Sequence, residues 1–214
     1  MMNRGRLLVV EGLEGAGKST AILFLQSLLQ AEGISVLTIR EPGGTVVGEA
    51  VRHLLKHADH EHPLDTRAEL LLFYAARVQL LETVVKPALQ QGTWVLADRC
   101  ELSSFAYQGG GREIPLEVLN QLSTLCVGDM QPDLLFYLDI SPEIGLQRAQ
   151  TRGTLDRIEQ EPLSFFQTVH TAYQAALNRF ESVAVIDASQ SLPQVEVALK
   201  QAFRHYWESL NGRS

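Results

Sequence analysis

The stretch LLVVEGLEGAGKST, residues 7–20, decides the fold of this chain. Its first four residues form a short apolar run of the kind that makes a buried parallel strand. The segment from Gly12 to Ser19 then fits the pattern G-x-x-x-x-G-K-[ST] without a gap. In such a loop the glycines allow a tight turn whose N–H groups surround a polyphosphate, while the lysine reaches the β- and γ-phosphates and the hydroxyl binds Mg²⁺. The stretch therefore predicts a P-loop that binds a nucleoside triphosphate.

The residues that follow this loop support the same prediction. Residues 21–29, AILFLQSLL, are typical of a helix, so its positive N-terminal end would face the bound anion. The alternative is a glycine turn that merely joins a strand to a helix, and the complete order of strand, loop, lysine, hydroxyl and helix argues against it. The residues assigned to the triphosphate are Gly12, Gly15, Ala16, Gly17, Lys18, Ser19 and Thr20.

Apolar strands and helical segments alternate along the rest of the chain. We expect strands at residues 34–39, 93–97, 133–139 and 183–186. Helices are expected at residues 47–56, 66–88, 116–127, 142–148, 165–180 and 193–210. This alternation predicts an α/β fold of the P-loop NTPase type, with a five-stranded parallel sheet flanked by helices. A length of 214 residues fits a single domain, residues 1–214, with a short lid at about 148–160.

Composition excludes several classes of protein. A formal net charge of −7 argues against a nucleic-acid polymer or an anionic membrane as partner, although a few converging arginines still suffice for a small phosphate ligand. The longest apolar runs are too short for a membrane span, and residues 7–10 are too short for a signal sequence. The two cysteines, Cys100 and Cys126, do not suggest a disulfide scaffold. We therefore expect a cytoplasmic protein.

Asp98 and Arg99 follow directly on the predicted strand 93–97. Open α/β sheets place their ligands at the carboxyl ends of the strands. There, Asp98 is suited to the hydration shell of Mg²⁺, and the fork-shaped guanidinium of Arg99 is suited to bind a phosphate with two hydrogen bonds. The pair is therefore a candidate part of the phosphate site.

Phe73 and Arg77 lie four residues apart in the long predicted helix and so share one helix face. A flat ring beside a guanidinium suits a planar heterocycle that stacks and accepts hydrogen bonds. The alternative, which the spacing alone favours, is a core phenylalanine with a surface arginine. The same helix is apolar almost all round at residues 70–76, so more than one of its sides must be covered.

Arg148 and Arg152 share another helix face, just before Gly153. The region is too polar for a core, and a solvated helix end is the simplest interpretation. Next to a P-loop, it also fits a lid whose arginines close over phosphates, with Gly153 as a hinge.

Two further segments are rich in polar residues or in glycine. Residues 57–62, HADHEH, contain several side chains that can bind metals, but the spacing fixes no ligand geometry, and we interpret the segment as a solvated loop rather than a metal site. The run from Gly109 to Gly111 is expected to be too flexible for ordinary core packing.

Five further segments narrow the family: REPGGT (40–45), FYAAR (73–77), DR (98–99), YQGGGR (107–112) and LDRIE (155–159). With the P-loop, in this order and at these distances, they closely resemble the bacterial thymidylate kinase family. The resemblance runs from about Leu7 to the final helix. It implies Mg²⁺-dependent transfer of the γ-phosphoryl group of ATP to dTMP, giving ADP and dTDP. It also suggests a homodimer, as does the helix that is apolar on all sides.

The resemblance implies roles for residues of the acceptor site. Glu14 would approach the 3′-hydroxyl region of the sugar, and Tyr107 would lie beneath the deoxyribose, where its ring crowds a ribose 2′-hydroxyl. The Phe73 ring would stack on thymine while Arg77 hydrogen-bonds its carbonyl edge. The full set implied for dTMP is Glu14, Arg40, Phe73, Arg77, Arg99, Ser104, Tyr107 and Gln108.

The resemblance also implies where the catalytic arginine lies. One branch of the family carries a basic residue in the P-loop, whereas this chain has Gly15 and Ala16 there, so it looks like the branch that uses a lid arginine. Arg152 is the best candidate. The residues implied for catalysis are Glu14, Lys18, Arg99 and Arg152, with Ser19 and Asp98 holding Mg²⁺, directly or through water.

Two positions depart from the family pattern. Cys100 stands where an aromatic residue or histidine is more common, and we predict no redox role for it. Gln150 replaces a lid position that can be basic, so the lid charge depends mainly on Arg148, Arg152 and Arg157.

Three other functions are compatible with a P-loop. A kinase for another deoxynucleoside or nucleoside monophosphate is the nearest, and Phe73, Arg77 and Tyr107 argue against it through the base and sugar pocket that the resemblance implies. A GTPase switch should contain an Asn-Lys-x-Asp segment, which the sequence lacks. A P-loop scaffold without turnover would not need the complete set of Lys18, Ser19, Asp98 and lid arginines.

Overall fold

The computed structural model describes residues 4–57, 63–152 and 156–212. Its five strands form one parallel sheet, as predicted, and the strand order is β2-β3-β1-β4-β5. Their bounds are β1 Leu7–Gly12, β2 Val36–Arg40, β3 Trp94–Asp98, β4 Leu134–Asp139 and β5 Val183–Asp187. The central strand β1 is buried along its whole length, which explains the apolar run at residues 7–10.

Helices connect the strands on both sides of the sheet. They are α1 Lys18–Ala31, α2 Val46–His57, α3 Thr66–Leu80, α4 Lys86–Gln90, α5 Glu101–Ser104, α6 Leu116–Cys126, α7 Pro142–Arg152, α8 Leu163–Ala176 and α9 Leu192–Asn211. Helix starts follow from local chemistry. Thr45 Oγ1 accepts from the amide of Gly48 at 2.9 Å, and Asp65 Oδ1 accepts from the amide of Arg67 at 2.9 Å.

The single helix predicted at residues 66–88 is α3 and α4, joined by a π-helical turn at Leu81–Val85. Pro87 explains the turn, because a proline has no amide to donate to the preceding turn and its ring crowds that turn. No described helix has both the length and the apolar character that crossing a bilayer requires.

A second π-helical segment, Phe105–Gly111, contains the glycine run that we expected to be flexible. A Cβ at Gly110 would overlap the side chain of Ala172, and one at Gly111 would overlap the ring of Phe165, both on α8. The glycines therefore allow close helix packing, and the expectation of flexibility is wrong. The segment carries Tyr107 and Gln108 towards the carboxyl end of the sheet.

The strand register brings the predicted phosphate residues together. Asp98, the last residue of β3, lies opposite Arg40 of β2 on one side and Val10 of β1 on the other. The glycine loop leaves β1 at the same edge. The carboxyl edge of the sheet is therefore where a ligand site can form.

Candidate active site

The glycine loop turns through left-handed backbone at Gly15 (φ 71°) and Gly17 (φ 89°), after which Lys18 begins α1. Lys18 Nζ folds back over the loop and donates to the carbonyl oxygens of Gly12 at 2.9 Å and Leu13 at 2.7 Å. Burial, reinforced by the positive charge of Arg99, lowers the pKa of Lys18 to about 8. An anion bound to this loop would place negative charge beside the Lys18 ammonium and so raise its pKa.

A cavity of about 430 Å³ lies beside the loop and brings together residues from distant parts of the chain. Most of the predicted site residues line it: Glu14, Gly15, Gly17, Lys18, Ser19, Thr20, Arg40, Phe73, Arg77, Asp98, Arg99, Ser104, Tyr107 and Gln108. Gly12 and Ala16 do not. Gly12 offers its carbonyl to Lys18, and Ala16 lines a second cavity.

Asp98 has a feature that fits a bound cation. Its Oδ1 atom is buried and has no hydrogen-bond partner among the described residues. An unpartnered buried carboxylate oxygen is costly unless a ligand satisfies it. The exposed Ser19 lines the same cavity, and carboxylate, hydroxyl and water oxygens are what Mg²⁺ prefers. The residues present therefore fit this ion.

Arg99 is held in an unusual position at the end of β3. Its backbone has a left-handed φ of 72°, and its guanidinium donates to Glu14 Oε1 at 2.6 Å and to the Gly12 carbonyl at 3.2 Å. The other Glu14 oxygen accepts from the Tyr107 hydroxyl. Burial alone would raise the pKa of Glu14, but the positive charges of Arg99 and Lys18 bring it below its usual value. Arg99, Glu14 and Tyr107 thus form one hydrogen-bonded cluster on the cavity wall.

Arg77 is not the surface arginine that spacing alone favoured, because only 3% of its side chain is exposed. It donates to Glu41 at 2.6 Å, to Ser104 Oγ at 3.0 Å and to the carbonyl of Cys100 at 3.2 Å. Despite its burial, nearby carboxylates raise the pKa of Arg77, so it stays charged. Phe73, one turn earlier, is half-buried on the same cavity wall.

Cys100 also lines the cavity. Burial raises the pKa of its thiol well above the usual value, so the thiol is protonated at neutral pH.

Part of the cavity wall is supported by a buried carboxylate that no sequence pattern singles out. Glu69 of α3 accepts from Gln108 Nε2 at 2.9 Å and also from Arg112 and Arg157. Arg157 further donates to the carbonyl of Leu55 at 3.0 Å. Arg157 is thus fixed against α2 and α3, and its neighbours Asp156, Ile158 and Glu159 line the cavity.

Other predicted residues lie at or beyond the edge of what the structure describes. Arg148 Nη1 donates to the carbonyl of Ala188 at 2.8 Å. The backbone of Arg152 ends α7, but its side chain and residues 153–155, with the predicted hinge Gly153, lie outside the described residues.

The histidine-rich segment is described only at its start. Residues 58–62 lie outside the description, and His57 stacks on His53 at the end of α2. Within the described ranges, no three His, Cys, Asp or Glu side chains are grouped so as to hold a metal.

Sequence patterns also did not single out one of the arginines that line the cavity. Arg52 of α2 lines it and donates to the carbonyl of Pro42 at 3.0 Å. Burial, together with the positive charge of Arg40, lowers its pKa. The only signal in the sequence was its place beside the apolar face of the helix predicted at residues 47–56.

A second cavity, of about 210 Å³, lies on the other side of the glycine loop. Gly17, Thr20 and Arg148 line both cavities, so the two meet at the start of α1. Its remaining lining is mainly small and aliphatic, as suits a flat base: Ala16, Ala21, Ala188, Gln190, Leu192, Val195, Glu196 and Leu199. The site can therefore hold two ligands that meet over the loop.

Comparisons with known proteins identify the family of this chain. A family model described as thymidylate kinase matches residues 10–199. A thymidylate kinase of Legionella pneumophila (strain Paris) is 49% identical over 204 residues, covering 95% of this chain and 96% of the relative. Thymidylate kinases of Pseudoalteromonas translucida (48% over 202 residues; 94% and 97% covered) and Shewanella loihica (50% over 194 residues; 90% and 92% covered) are similarly close.

Proposed function

This chain belongs to the thymidylate kinase family, and from that premise we propose how its residues carry out the reaction. It is an ATP-dependent nucleoside monophosphate kinase that phosphorylates dTMP to dTDP. A kinase for a different monophosphate is not favoured, because the relatives over nearly the whole chain are thymidylate kinases. The observation that supports a residue-level account most strongly is the meeting of two cavities at the glycine loop.

ATP occupies the glycine loop and the smaller cavity in this proposal. Backbone N–H groups of the loop and the Lys18 ammonium hold the β- and γ-phosphates, and the start of α1 adds its dipole. The adenine enters the cavity between Arg148 and the segment after β5. Ser19 and Asp98 would hold Mg²⁺, which when bound neutralises charge on the phosphates.

dTMP occupies the larger cavity. Its thymine stacks on Phe73 and accepts hydrogen bonds from Arg77, with Ser104 and Gln108 on the same wall. Tyr107 and Glu14 contact the sugar.

The phosphate of dTMP is held by the guanidinium groups at the carboxyl edge of the sheet. Arg99 binds it, and Arg40 and Arg52 lie along the same cavity and add positive charge. The acceptor oxygen then points towards the γ-phosphate.

Phosphoryl transfer needs alignment and neutralisation of charge more than a covalent nucleophile. We assign the neutralising arginine to Arg152, on the strength of the family resemblance and of its place at the end of α7, one turn after Arg148. Lys18 and Arg99 hold the donor and acceptor phosphates on either side of the migrating group.

We further propose a cytoplasmic homodimer. Exposed apolar side chains occur on three neighbouring helices, at Val46 on α2, Leu71 on α3 and Leu125 on α6. A second copy of the chain would cover such a surface.

A coupled assay of ADP release across a panel of ribo- and deoxynucleoside monophosphates tests the proposed site. We expect dTMP to give the highest kcat/KM, and Phe73→Ala to raise the KM for dTMP at least tenfold while the KM for ATP stays within twofold. Phe24→Ala is the matched control. It removes a half-buried ring of α1 that lies outside both cavities, and it should change neither KM. Equal changes in both KM values for Phe73→Ala would contradict the stacking role.

A further inference from the structure

Glu11 is a completely buried carboxylate in β1 that the proposed reaction does not use. Its Oε1 atom accepts from the backbone amides of Cys100 at 2.8 Å and Ser103 at 3.1 Å. Its Oε2 atom accepts from the hydroxyls of Ser103 at 2.8 Å and Tyr173 at 2.9 Å. One oxygen therefore holds the backbone after β3, and the other holds two side-chain hydroxyls.

The same two hydroxyls also contact Arg99. Arg99 Nη1 lies 3.1 Å from Ser103 Oγ and 3.0 Å from the Tyr173 hydroxyl, and the two hydroxyl oxygens are 2.8 Å apart. Each hydroxyl has one proton, whereas a carboxylate can only accept and a guanidinium can only donate. Both protons therefore point to Glu11, or one points to the other hydroxyl. In either arrangement the side that faces Arg99 presents lone pairs.

We propose that Glu11 is a positioning residue for the acceptor phosphate. Its carboxylate fixes the direction of the hydrogen bonds made by Ser103 and Tyr173, so that both hydroxyls accept from Arg99 and hold its guanidinium in place. This inference rests on the proposed role of Arg99 in binding the phosphate of dTMP.

Glu11→Gln separates this role from a purely structural one. The amide oxygen can keep the contacts with the backbone amides of Cys100 and Ser103, because the NH₂ group cannot face two N–H donors. The NH₂ group then takes the place of Oε2 and donates to the hydroxyls. Because neither hydroxyl can then donate to residue 11, at least one hydroxyl proton turns towards Arg99. There it faces an N–H group of the guanidinium, and the two donors repel each other.

The test measures the dissociation constants of dTMP and of thymidine, which lacks the phosphate. For Glu11→Gln we expect roughly tenfold weaker binding of dTMP, the size typical of a hydrogen bond to a charged group, and thymidine binding within twofold of wild type. Tyr173→Phe removes one acceptor and should show the same pattern. Combined with Glu11→Gln, it should add little, because both changes disturb the same contact.

Glu101→Gln is the matched control. Glu101 is also a buried carboxylate in this segment, but it accepts from the hydroxyls of Tyr74 at 2.8 Å and Ser123 at 3.0 Å and has no described hydrogen bond to Arg99. Its substitution should leave the ratio of the dTMP and thymidine dissociation constants unchanged, even if the free energy of unfolding falls.

Arg99→Ala distinguishes failure of this inference from failure of the proposed function. If Arg99→Ala abolishes the preference for dTMP over thymidine while Glu11→Gln and Tyr173→Phe leave it intact, the positioning role is overturned and the phosphate site stands. Weakening of both ligands to the same extent in Glu11→Gln would also overturn it. If Arg99→Ala keeps the preference, the phosphate role of Arg99 is wrong, and the role of Glu11 is wrong with it.

Discussion

At the scale of single residues, Lys18 shows how the glycine loop holds a buried ammonium group. This group donates to two carbonyl oxygens of that loop, at 2.9 and 2.7 Å. Burial and the neighbouring Arg99 still lower its pKa to about 8, against 10.5 for a free lysine side chain. A bound triphosphate brings negative charge within contact distance and would raise the pKa again.

The lowered pKa predicts how activity depends on pH. Free enzyme loses the Lys18 proton as pH rises through about 8, so ATP must bind together with a proton above that value. We expect kcat/KM for ATP to fall by about tenfold per pH unit above pH 8, through KM rather than kcat. Initial rates from pH 7 to 9.5 measure this.

Lys18→Arg gives the control for this profile, because a guanidinium does not lose its proton in that range. Its kcat/KM for ATP should be low but independent of pH. A wild-type profile that is flat up to pH 9.5 would contradict a lowered pKa. The same pKa difference affects stability. The unfolded chain keeps the Lys18 proton up to about pH 10.5, whereas the folded chain loses it near pH 8. This group therefore makes the free energy of unfolding rise between pH 8 and 10.5.

Sequence patterns identified many single residues of the candidate site but few of their partners. Lys18, Asp98 and Arg99 follow short apolar strands, and that local context was enough to single them out. The burial of Arg77 was not predictable, because it depends on Glu41, which is 36 positions away. Glu11 and Tyr173 are 162 positions apart, so no local period relates them.

At the scale of elements, the π-helical segment Phe105–Gly111 is what places Tyr107 and Gln108 in the cavity. It lies against α8 at Gly110, where a Cβ would meet the side chain of Ala172 and approach the carbonyl of Thr168 to 3.4 Å. Two helix backbones that come this close leave no room for even a methyl group.

Gly110→Ala should therefore cost about 1–3 kcal/mol of unfolding free energy and raise the KM for dTMP more than that for ATP. Gly109→Ala in the same segment is the control. There the Cβ would meet Leu119 Cδ1 at 2.8 Å, the end of a flexible side chain that can move aside. Urea denaturation and steady-state kinetics of both variants measure the difference. Equal stability losses would show that contact with α8 is not the reason for Gly110.

The end of α7 carries the prediction about the catalytic arginine. Arg152→Ala should lower kcat by about 10³ with little change in dTMP binding, because an arginine at the transferring group acts mainly in the transition state. Arg148→Ala, one turn earlier, should mainly raise the KM for ATP, since its guanidinium contacts the carbonyl of Ala188 beside the smaller cavity. An unchanged kcat for Arg152→Ala would assign catalysis to another arginine.

Most strands and helices could be predicted from the sequence, because buried parallel strands have short apolar runs and helices have caps and periodic faces. The π-helical segments could not. The turn at Leu81–Val85 depends on Pro87 within an otherwise regular pattern, and the segment at Phe105–Gly111 depends on packing against α8, which is distant in sequence. A glycine run alone does not distinguish flexibility from close packing.

At the scale of the whole molecule, an acidic protein contains a cationic site. The chain has a net charge of −7, yet the larger cavity is lined by seven Lys and Arg side chains against five Asp and Glu side chains. The parallel sheet explains this concentration, since the carboxyl ends of adjacent strands meet at one edge. Two phosphorylated ligands can therefore be drawn to the same place despite the overall charge.

The exposed apolar surface on α2, α3 and α6 predicts a dimer. Leu71 is 56% exposed on α3, the helix that contacts both α2 and α6, and Leu71→Glu should convert the protein to monomers of 23.7 kDa. Leu23→Glu is the control, because Leu23 is 65% exposed on α1, away from these helices. Sedimentation velocity at micromolar concentration measures the mass. A monomeric wild-type protein would contradict the proposed dimer.

The central claim is that two nucleotides bind end to end across the glycine loop. The most direct measurement is a crystal structure of the protein with dTMP and a non-hydrolysable ATP analogue. We expect thymine against Phe73, the dTMP phosphate on Arg99 and the triphosphate on Lys18, with adenine in the smaller cavity. A thymine bound elsewhere, or a dTMP phosphate that points away from the triphosphate, would contradict it.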